Sequence, residues 1–131
     1  MTPPKITLPQ KPHTQNITFD QPIYDVFKKL EGAYEACFLL ESLTDGSDSR
    51  YTILGFAPES IVSGNEKTLT VDSKNYNVEN PYQALRAMMP QNVLMRGFVG
   101  GLIGYMSYEA SEFFEPTLKL HKHKDFDQFR F

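Results

Sequence analysis

The clearest candidate for chemistry is a polar pair that follows an apolar run. Glu41 and Ser42 come directly after the apolar residues 37–40, and Arg50 begins the next β-like run. If the two runs pair as strands across the loop 43–49, an acid, a hydroxyl and a guanidinium meet at one end of a hairpin. A carboxylate can hold an ammonium group and a guanidinium can hold a carboxylate, so this set would suit an amino-acid zwitterion. The spacing leaves a second interpretation open, in which Glu41 and Arg50 form only a structural cross-strand ion pair.

A group of glycines around position 100 could suggest a phosphate-binding loop. Their spacing matches neither the dinucleotide-binding motif nor the P-loop, and no Lys-Ser or Lys-Thr pair follows. Because they lie within a strand-like pattern, they favour close packing of backbone or rings. The glycines concerned are Gly97, Gly100, Gly101 and Gly104.

The remaining reactive side chains have plainer interpretations. Cys37 lies in the most apolar run and is expected to be a small buried hydrophobe. His121 and His123 alternate with lysines, which would repel a metal cation and so favour a solvated basic linker. Three glutamates at intervals of three could hold Mg²⁺, although a solvated helical face is the more common outcome; they are Glu109, Glu112 and Glu115.

Length and composition restrict the class of protein. A chain of 131 residues suits one domain, and one cysteine excludes an intrachain disulfide. The formal net charge of −3 gives no general attraction to nucleic acid or to an anionic membrane. The longest nearly uncharged apolar stretch, residues 97–108, is far shorter than the roughly 20 residues that a membrane helix needs. We therefore expect a cytoplasmic protein without nucleic-acid or membrane partners.

Two helices have clear start and end signals. Pro22 opens the first, whose apolar residues recur at i, i+3, i+4 and i+7, namely Ile23, Val26, Phe27 and Leu30. Gly32 is expected to lie just beyond its end. In the second, Asn80 is a good N-cap, Pro81 suits the first helical position and Pro90 ends the pattern. A third helical turn is predicted over residues 107–114.

Apolar and β-branched runs predict the strands. The runs cover residues 34–41, 50–56, 61–63, 67–71, 98–108 and 126–131. The continuous apolar residues 37–40 are typical of a strand that is buried on both faces. Gly64-Asn65-Glu66 predicts a hairpin turn between two of the runs.

These elements predict an α+β fold: a mostly antiparallel sheet with two to three helices packed on it, forming the N-terminal part of a larger two-layer sandwich. Residues 1–16, which carry four prolines, form an extended arm, and residues 17–131 form the domain. The chain stops at Phe131 inside an apolar run, so we expect it to be the first part of a longer protein.

Three motif blocks carry a family resemblance. They are F-L-L-E-S at residues 38–42, S-R-Y-T-I-L-G-F-A-P at residues 49–58, and G-G-L-I-G-Y-M-S-Y-E at residues 100–109, with Phe114-Glu115 following. Their order and spacing resemble the N-terminal region of anthranilate synthase component I over about residues 17–131. The sister family, aminodeoxychorismate synthase component I, shares the architecture, and the intact L-L-E-S favours the anthranilate branch.

The resemblance implies an activity for the longer protein. Members of the family convert chorismate to anthranilate and pyruvate, with ammonia delivered by a glutamine amidotransferase subunit (component II) and with Mg²⁺. The chorismate and Mg²⁺ residues belong to the C-terminal part, so the resemblance implies no catalytic or metal residue in this chain and no turnover by it alone. It also implies that the three glutamates do not bind a metal.

The resemblance places feedback regulation in this region. Tryptophan, which inhibits the family's enzymes, would bind a site lined by Leu40, Glu41, Ser42, Arg50 and Tyr51. Two alternatives from another class remain: a stand-alone amino-acid-binding domain, and an interaction module that docks a partner through exposed Phe126, Phe129 and Phe131.

Overall fold

The structure, a computed structural model, describes residues 2–7, 15–42, 51–90, 101–121 and 125–131. Its contacts divide the chain into two compact units. The hairpin unit is Thr14–Glu59, and the sheet unit combines Met1–His13 with Ser60–Phe131. No helix in the described ranges has the length and apolar character needed to cross a membrane.

In its described part, residues 15–42 and 51–59, the hairpin unit has a helix and a two-stranded antiparallel sheet. Its elements are α1 (Ile23–Ala33), β1 (Cys37–Leu40) and β2 (Ile53–Phe56). Helix α1 begins after Pro22, as predicted, and packs against β1. It continues through Gly32, where an end was expected, and the Tyr34 N–H donates to the Leu30 carbonyl at 2.8 Å beyond the last turn.

The expected burial of residues 37–40 on both faces is wrong. Cys37, Phe38 and Leu39 are only partly buried, and Leu40 is 47% exposed. The prediction assumed that a continuous apolar run is enclosed between two layers. A two-stranded sheet with one helix has too few neighbours to enclose such a strand.

The described residues of the sheet unit form five antiparallel strands. In chain order they are β3 (Val62–Asn65), β4 (Thr68–Val71), β5 (Lys74–Asn77), β6 (Tyr105–Met106) and β7 (Phe129–Arg130), arranged in the sheet as β5-β4-β3-β7-β6. The predicted hairpin of β3 and β4 is confirmed, but its turn lies at Glu66 and Lys67 and not at Gly64-Asn65-Glu66, because Gly64 and Asn65 pair with β4 as strand residues. Strand β5 was not predicted; it follows a tight turn in which Asp72 and Ser73 have φ of 48° and 67°. Two consecutive positive φ values are the geometry of two-residue hairpin loops, which Asp tolerates well.

Among its described residues, the sheet unit has the helix α2 (Pro81–Met88) and a 3₁₀-helix (Tyr108–Phe113). The predicted cap of α2 is confirmed, since Asn80 Oδ1 accepts a hydrogen bond from the Gln83 N–H at 3.1 Å. The other end of the same amide donates to the Phe113 carbonyl at 2.9 Å. Asn80 therefore joins the start of α2 to the end of the 3₁₀-helix.

The α+β class is confirmed by the two antiparallel sheets and the three helices of the described residues. The long strand expected over residues 98–108 is strand only at Tyr105–Met106 in the part that the structure describes, and residues 91–100 lie outside that part. Ile6 of the proline-rich arm donates its N–H to the Met88 carbonyl at 2.8 Å. The division at residue 17 between arm and domain stays a prediction.

A buried glutamine joins three elements of the sheet unit. Gln128 is 2% exposed and lies just before β7. Its Oε1 accepts from the Glu66 N–H at 2.7 Å, and its Nε2 donates to the Glu109 carbonyl at 3.0 Å. One side chain thus ties the β3–β4 turn to the 3₁₀-helix.

We expect Gln128→Ala to lower the free energy of unfolding by about 1–3 kcal/mol. The substitution removes the acceptor for the Glu66 N–H and the donor to the Glu109 carbonyl, and both hydrogen bonds are partly buried. Chemical denaturation measures the change. Gln83→Ala is the matched control, since that side chain is exposed on α2 and its loss should change stability by less than about 0.5 kcal/mol. Equal effects of the two substitutions would contradict the bridging role.

Candidate functional site

The candidate site is the loop end of the hairpin formed by β1 and β2, the end at which the two strands are connected. The strands are antiparallel, with Leu40 opposite Ile53, which confirms the pairing expected across the loop 43–49. The same register, continued beyond the strands, would set Glu41 opposite Thr52 and Ser42 opposite Tyr51. Thr52 was not singled out from the sequence; its place follows from the register, which the sequence did not specify.

The side chains at this end are accessible. Leu40 is 47% exposed and Tyr51 is 75% exposed. Glu41 and Ser42 are exposed as well. Arg50 lies outside the described residues, so neither its predicted ligand contact nor its alternative ion pair with Glu41 is tested. The end of the hairpin therefore presents a carboxylate, a hydroxyl, an aliphatic side chain and a phenol to solvent.

Two aromatic contacts hold the hairpin behind this end. A Cβ on Gly55 would overlap the ring of Phe38, its partner across the sheet, so only glycine lets that ring lie over β2. Near the opposite end, the rings of Tyr34 and Phe56 have centroids 4.9 Å apart. These contacts account physically for Phe38, Gly55 and Phe56 in the motif blocks, and they support the two strands whose ends carry Ser42 and Tyr51.

The chemistry that these groups offer is binding. A carboxylate accepts hydrogen bonds from an ammonium group, a hydroxyl donates and accepts, and exposed apolar and phenolic surface can cover a ring. The amino-acid interpretation of Glu41 and Ser42 stays a prediction, as does each of Leu40, Arg50 and Tyr51 as a tryptophan contact.

The glycine group has a packing role where it is described. A Cβ on Gly104 would overlap the Arg130 carbonyl oxygen and approach Phe131 Cα to 2.7 Å. Gly101 has no heavy atom within 4 Å of its Cβ position. Gly97 and Gly100 lie outside the described residues. The close packing expected of these glycines is thus confirmed at Gly104.

Two of the three glutamates, Glu112 and Glu115, accept hydrogen bonds from nearby residues. Glu112 Oε1 accepts from the Leu120 N–H at 2.6 Å. Glu115 Oε1 accepts from the Thr117 hydroxyl at 2.7 Å, which, together with the Thr117 N–H, lowers the pKa of that carboxyl. Glu109 is half-buried on the 3₁₀-helix. In the ranges that the structure covers, no group of three or more His, Cys, Asp or Glu side chains could hold a metal ion.

The structure also tests the predictions for the cysteine, the histidines and the terminal aromatic residues. Cys37 was expected to be a small buried hydrophobe, and its side chain is only partly buried. His121 is exposed, and His123 lies outside the described residues. The interaction module required an exposed Phe129, whereas this residue is 0% exposed; Phe126 is 60% exposed. A terminal aromatic docking surface that includes Phe129 is therefore excluded.

Curated relatives named anthranilate synthase component 1 match almost the whole chain. The protein of Leptospira biflexa is 43% identical over 128 residues, which cover 95% of this chain and 28% of the relative. That of Methanothermobacter marburgensis is 36% identical over 127 residues, or 93% of this chain and 27% of the relative. That of Thermus thermophilus is 27% identical over 99 residues. No family model and no solved structure matches the chain.

These matches confirm the resemblance that the motif blocks carry: almost the whole chain is similar in sequence to proteins named anthranilate synthase component 1. It spans only about a quarter of the length of these relatives, since it covers 28% and 27% of the first two.

Proposed function

We propose that the chain is the N-terminal portion of an anthranilate synthase component 1, which converts chorismate and ammonia to anthranilate and pyruvate. The observation that carries this proposal is the 43% identity over 95% of the chain to a relative of that name. The longer protein would be a cytoplasmic lyase that receives ammonia from a component II glutamine amidotransferase. We expect no turnover by these 131 residues alone.

The longer protein would use Mg²⁺, a cation that favours carboxylate and water oxygens. We assign the metal to parts of that protein outside this chain. The described glutamates support this assignment, because Glu112 and Glu115 each direct an oxygen to a neighbouring backbone or hydroxyl group.

The role proposed for this portion is feedback inhibition by tryptophan at the loop end of the hairpin. Glu41 would hold the ammonium group and Arg50 the carboxylate of the amino acid. Ser42 would add a hydrogen bond, and Leu40 and Tyr51 would cover the indole. The exposure of the four described members and the antiparallel pairing behind them support this arrangement.

Inhibition requires that tryptophan bind the inactive form of the longer protein more tightly than the active form. A coupling free energy of about 1–3 kcal/mol corresponds to a roughly 5–150-fold change in affinity, which is enough for strong feedback. A substitution that blocks the site should therefore remove inhibition and leave the reaction intact.

In the longer protein, we expect Ser42→Phe to raise the tryptophan concentration for half-inhibition at least about tenfold, because the new ring occupies ligand space. The rate constant for anthranilate formation should change by less than about twofold, since the residue acts in binding the inhibitor alone. Anthranilate fluorescence with chorismate, Mg²⁺ and ammonia measures both quantities. Arg50→Ala should weaken inhibition in the same direction.

Thr18→Phe is the control, since it adds the same ring at another exposed position of the hairpin unit and should leave inhibition unchanged. Equal inhibition of Ser42→Phe and its parent would remove Ser42 from the site. Formation of aminodeoxychorismate would move the protein to the sister family. Micromolar binding of tryptophan to the 131-residue chain, measured by calorimetry, would favour a stand-alone amino-acid sensor.

A further inference from the structure

Buried side chains are distributed very unevenly between the two units. Nine hydrophobic residues form the core of the described chain, and all of them belong to the sheet unit: Val62, Leu69, Val71, Tyr76, Leu85, Met88, Ala110, Phe113 and Phe129. In the described part of the hairpin unit no residue is buried. Helix α1 is amphipathic yet buries no residue, and the apolar residues of β1 and β2 are at most partly buried.

This difference has a direct energetic consequence. Hydrophobic stabilisation is roughly proportional to the apolar area removed from water. An isolated two-stranded hairpin is marginally stable in water, and so is an isolated helix as short as the 11 residues of α1. Opening the hairpin unit therefore exposes much less additional apolar surface to water than opening the sheet unit does.

We infer that the hairpin unit opens locally, as a separate unit of low stability, while the sheet unit stays folded. Segments with few buried apolar contacts occupy the low end of the range of local opening free energies. A ligand that binds only the ordered form shifts this equilibrium toward order by mass action. Resting on the proposed function, the inference adds that tryptophan acts by ordering the unit that carries Leu40–Ser42, so that feedback is coupled to local folding.

Native-state hydrogen exchange of the 131-residue chain without ligand tests the local opening. We expect the hydrogen-bonded amides of β1 and β2 to have protection factors at least about 100-fold lower than those of β3 and β4. Equal protection in all four strands would show one cooperative unit and would overturn the inference.

A matched pair of leucine substitutions provides a second test. Leu39→Ala, on β1, should lower protection in β1 and β2 by about tenfold and leave β3 and β4 unchanged. Leu69→Ala, on β4 and 0% exposed, should lower protection in β3 and β4 by at least about 100-fold without a matching fall in β1 and β2. Parallel falls in all four strands with either variant count against separate opening.

Addition of tryptophan separates the inference from the proposed function. Selective protection of β1 and β2 by millimolar tryptophan, absent in Ser42→Phe, supports both. If β1 and β2 have low protection and tryptophan does not change it, the result supports local opening. The same result counts against a response of the isolated chain to tryptophan. Protection raised equally in both units would contradict selective ordering of the hairpin unit.

Discussion

Replacement of Phe129 by alanine is expected to lower the free energy of unfolding by about 3–5 kcal/mol, the range found for truncating a buried aromatic side chain. Phe129 is 0% exposed. Its ring packs edge-on against Phe113 with centroids 5.9 Å apart, and it lies 5.7 Å from the ring of Phe131. It also covers Gly64, where a Cβ would overlap the ring.

The effect on the sheet should be large because β7 is a central strand, paired with β3 on one side and β6 on the other. Natural domains are stable by only about 5–15 kcal/mol, so the loss would be a substantial part of the total. Chemical denaturation followed by far-ultraviolet circular dichroism measures it. Hydrogen exchange of β3 assigns the loss to the sheet unit.

Phe126→Ala provides the control, because it removes the same side chain three positions earlier, where Phe126 is 60% exposed. We expect a change below about 1 kcal/mol, as for most surface substitutions. If the two variants lost stability equally, the ring of Phe129 would not be the centre of the core.

The contrast between Phe126 and Phe129 shows what the sequence could not specify. Aromatic density in residues 126–131 predicted a strand, and a strand is present at Phe129–Arg130. Which of the aromatic residues is buried depends on the pairing of β7 with β3 and β6. Those partners are 60 or more and about 25 residues away in the chain, so no local pattern contains this information.

Local chemistry made other elements predictable. The start of α2 follows from Asn80 and Pro81, because a capping amide and a proline at the first position act within one turn. By contrast, β5 was missed because the turn at Asp72 and Ser73 lacks the glycine that usually marks such loops. The burial of β1 was overestimated because the rule for a continuous apolar run assumes layers that this hairpin unit does not supply.

The candidate site was predictable in position but not in full detail. Two apolar runs separated by a polar segment rich in Asp, Ser and Gly indicated a hairpin, and the register confirms that Leu40 and Ile53 pair at its loop end. The nature of a ligand there does not follow from Glu41 and Ser42 alone. It rests on the motif blocks and on the similarity to proteins named anthranilate synthase component 1.

Gly104→Ala tests the packing role of the glycine-containing motif block. The added Cβ would overlap the Arg130 carbonyl oxygen and lie 2.7 Å from Phe131 Cα. Both are backbone atoms, so neither can rotate aside as a flexible side chain would. The overlap can be relieved only if β7 moves. Two hydrogen bonds resist that movement, because the Phe131 N–H donates to the Val62 carbonyl at 2.8 Å and the Val62 N–H donates to the Phe131 carbonyl at 2.9 Å.

We therefore expect Gly104→Ala to destabilise the chain by about 1–3 kcal/mol, as overpacking does, and to shift the thermal midpoint by about 4–8 °C per kcal/mol. Gly101→Ala is the matched control, because nothing lies within 4 Å of its Cβ position. Removing a glycine from an open position restricts the unfolded chain, so this variant should be unchanged or more stable by up to about 1 kcal/mol. If both variants kept the stability of the parent, the close approach of β7 would not explain the glycine at position 104. The phosphate-loop interpretation of the motif block would then be tested by measuring the binding of inorganic phosphate.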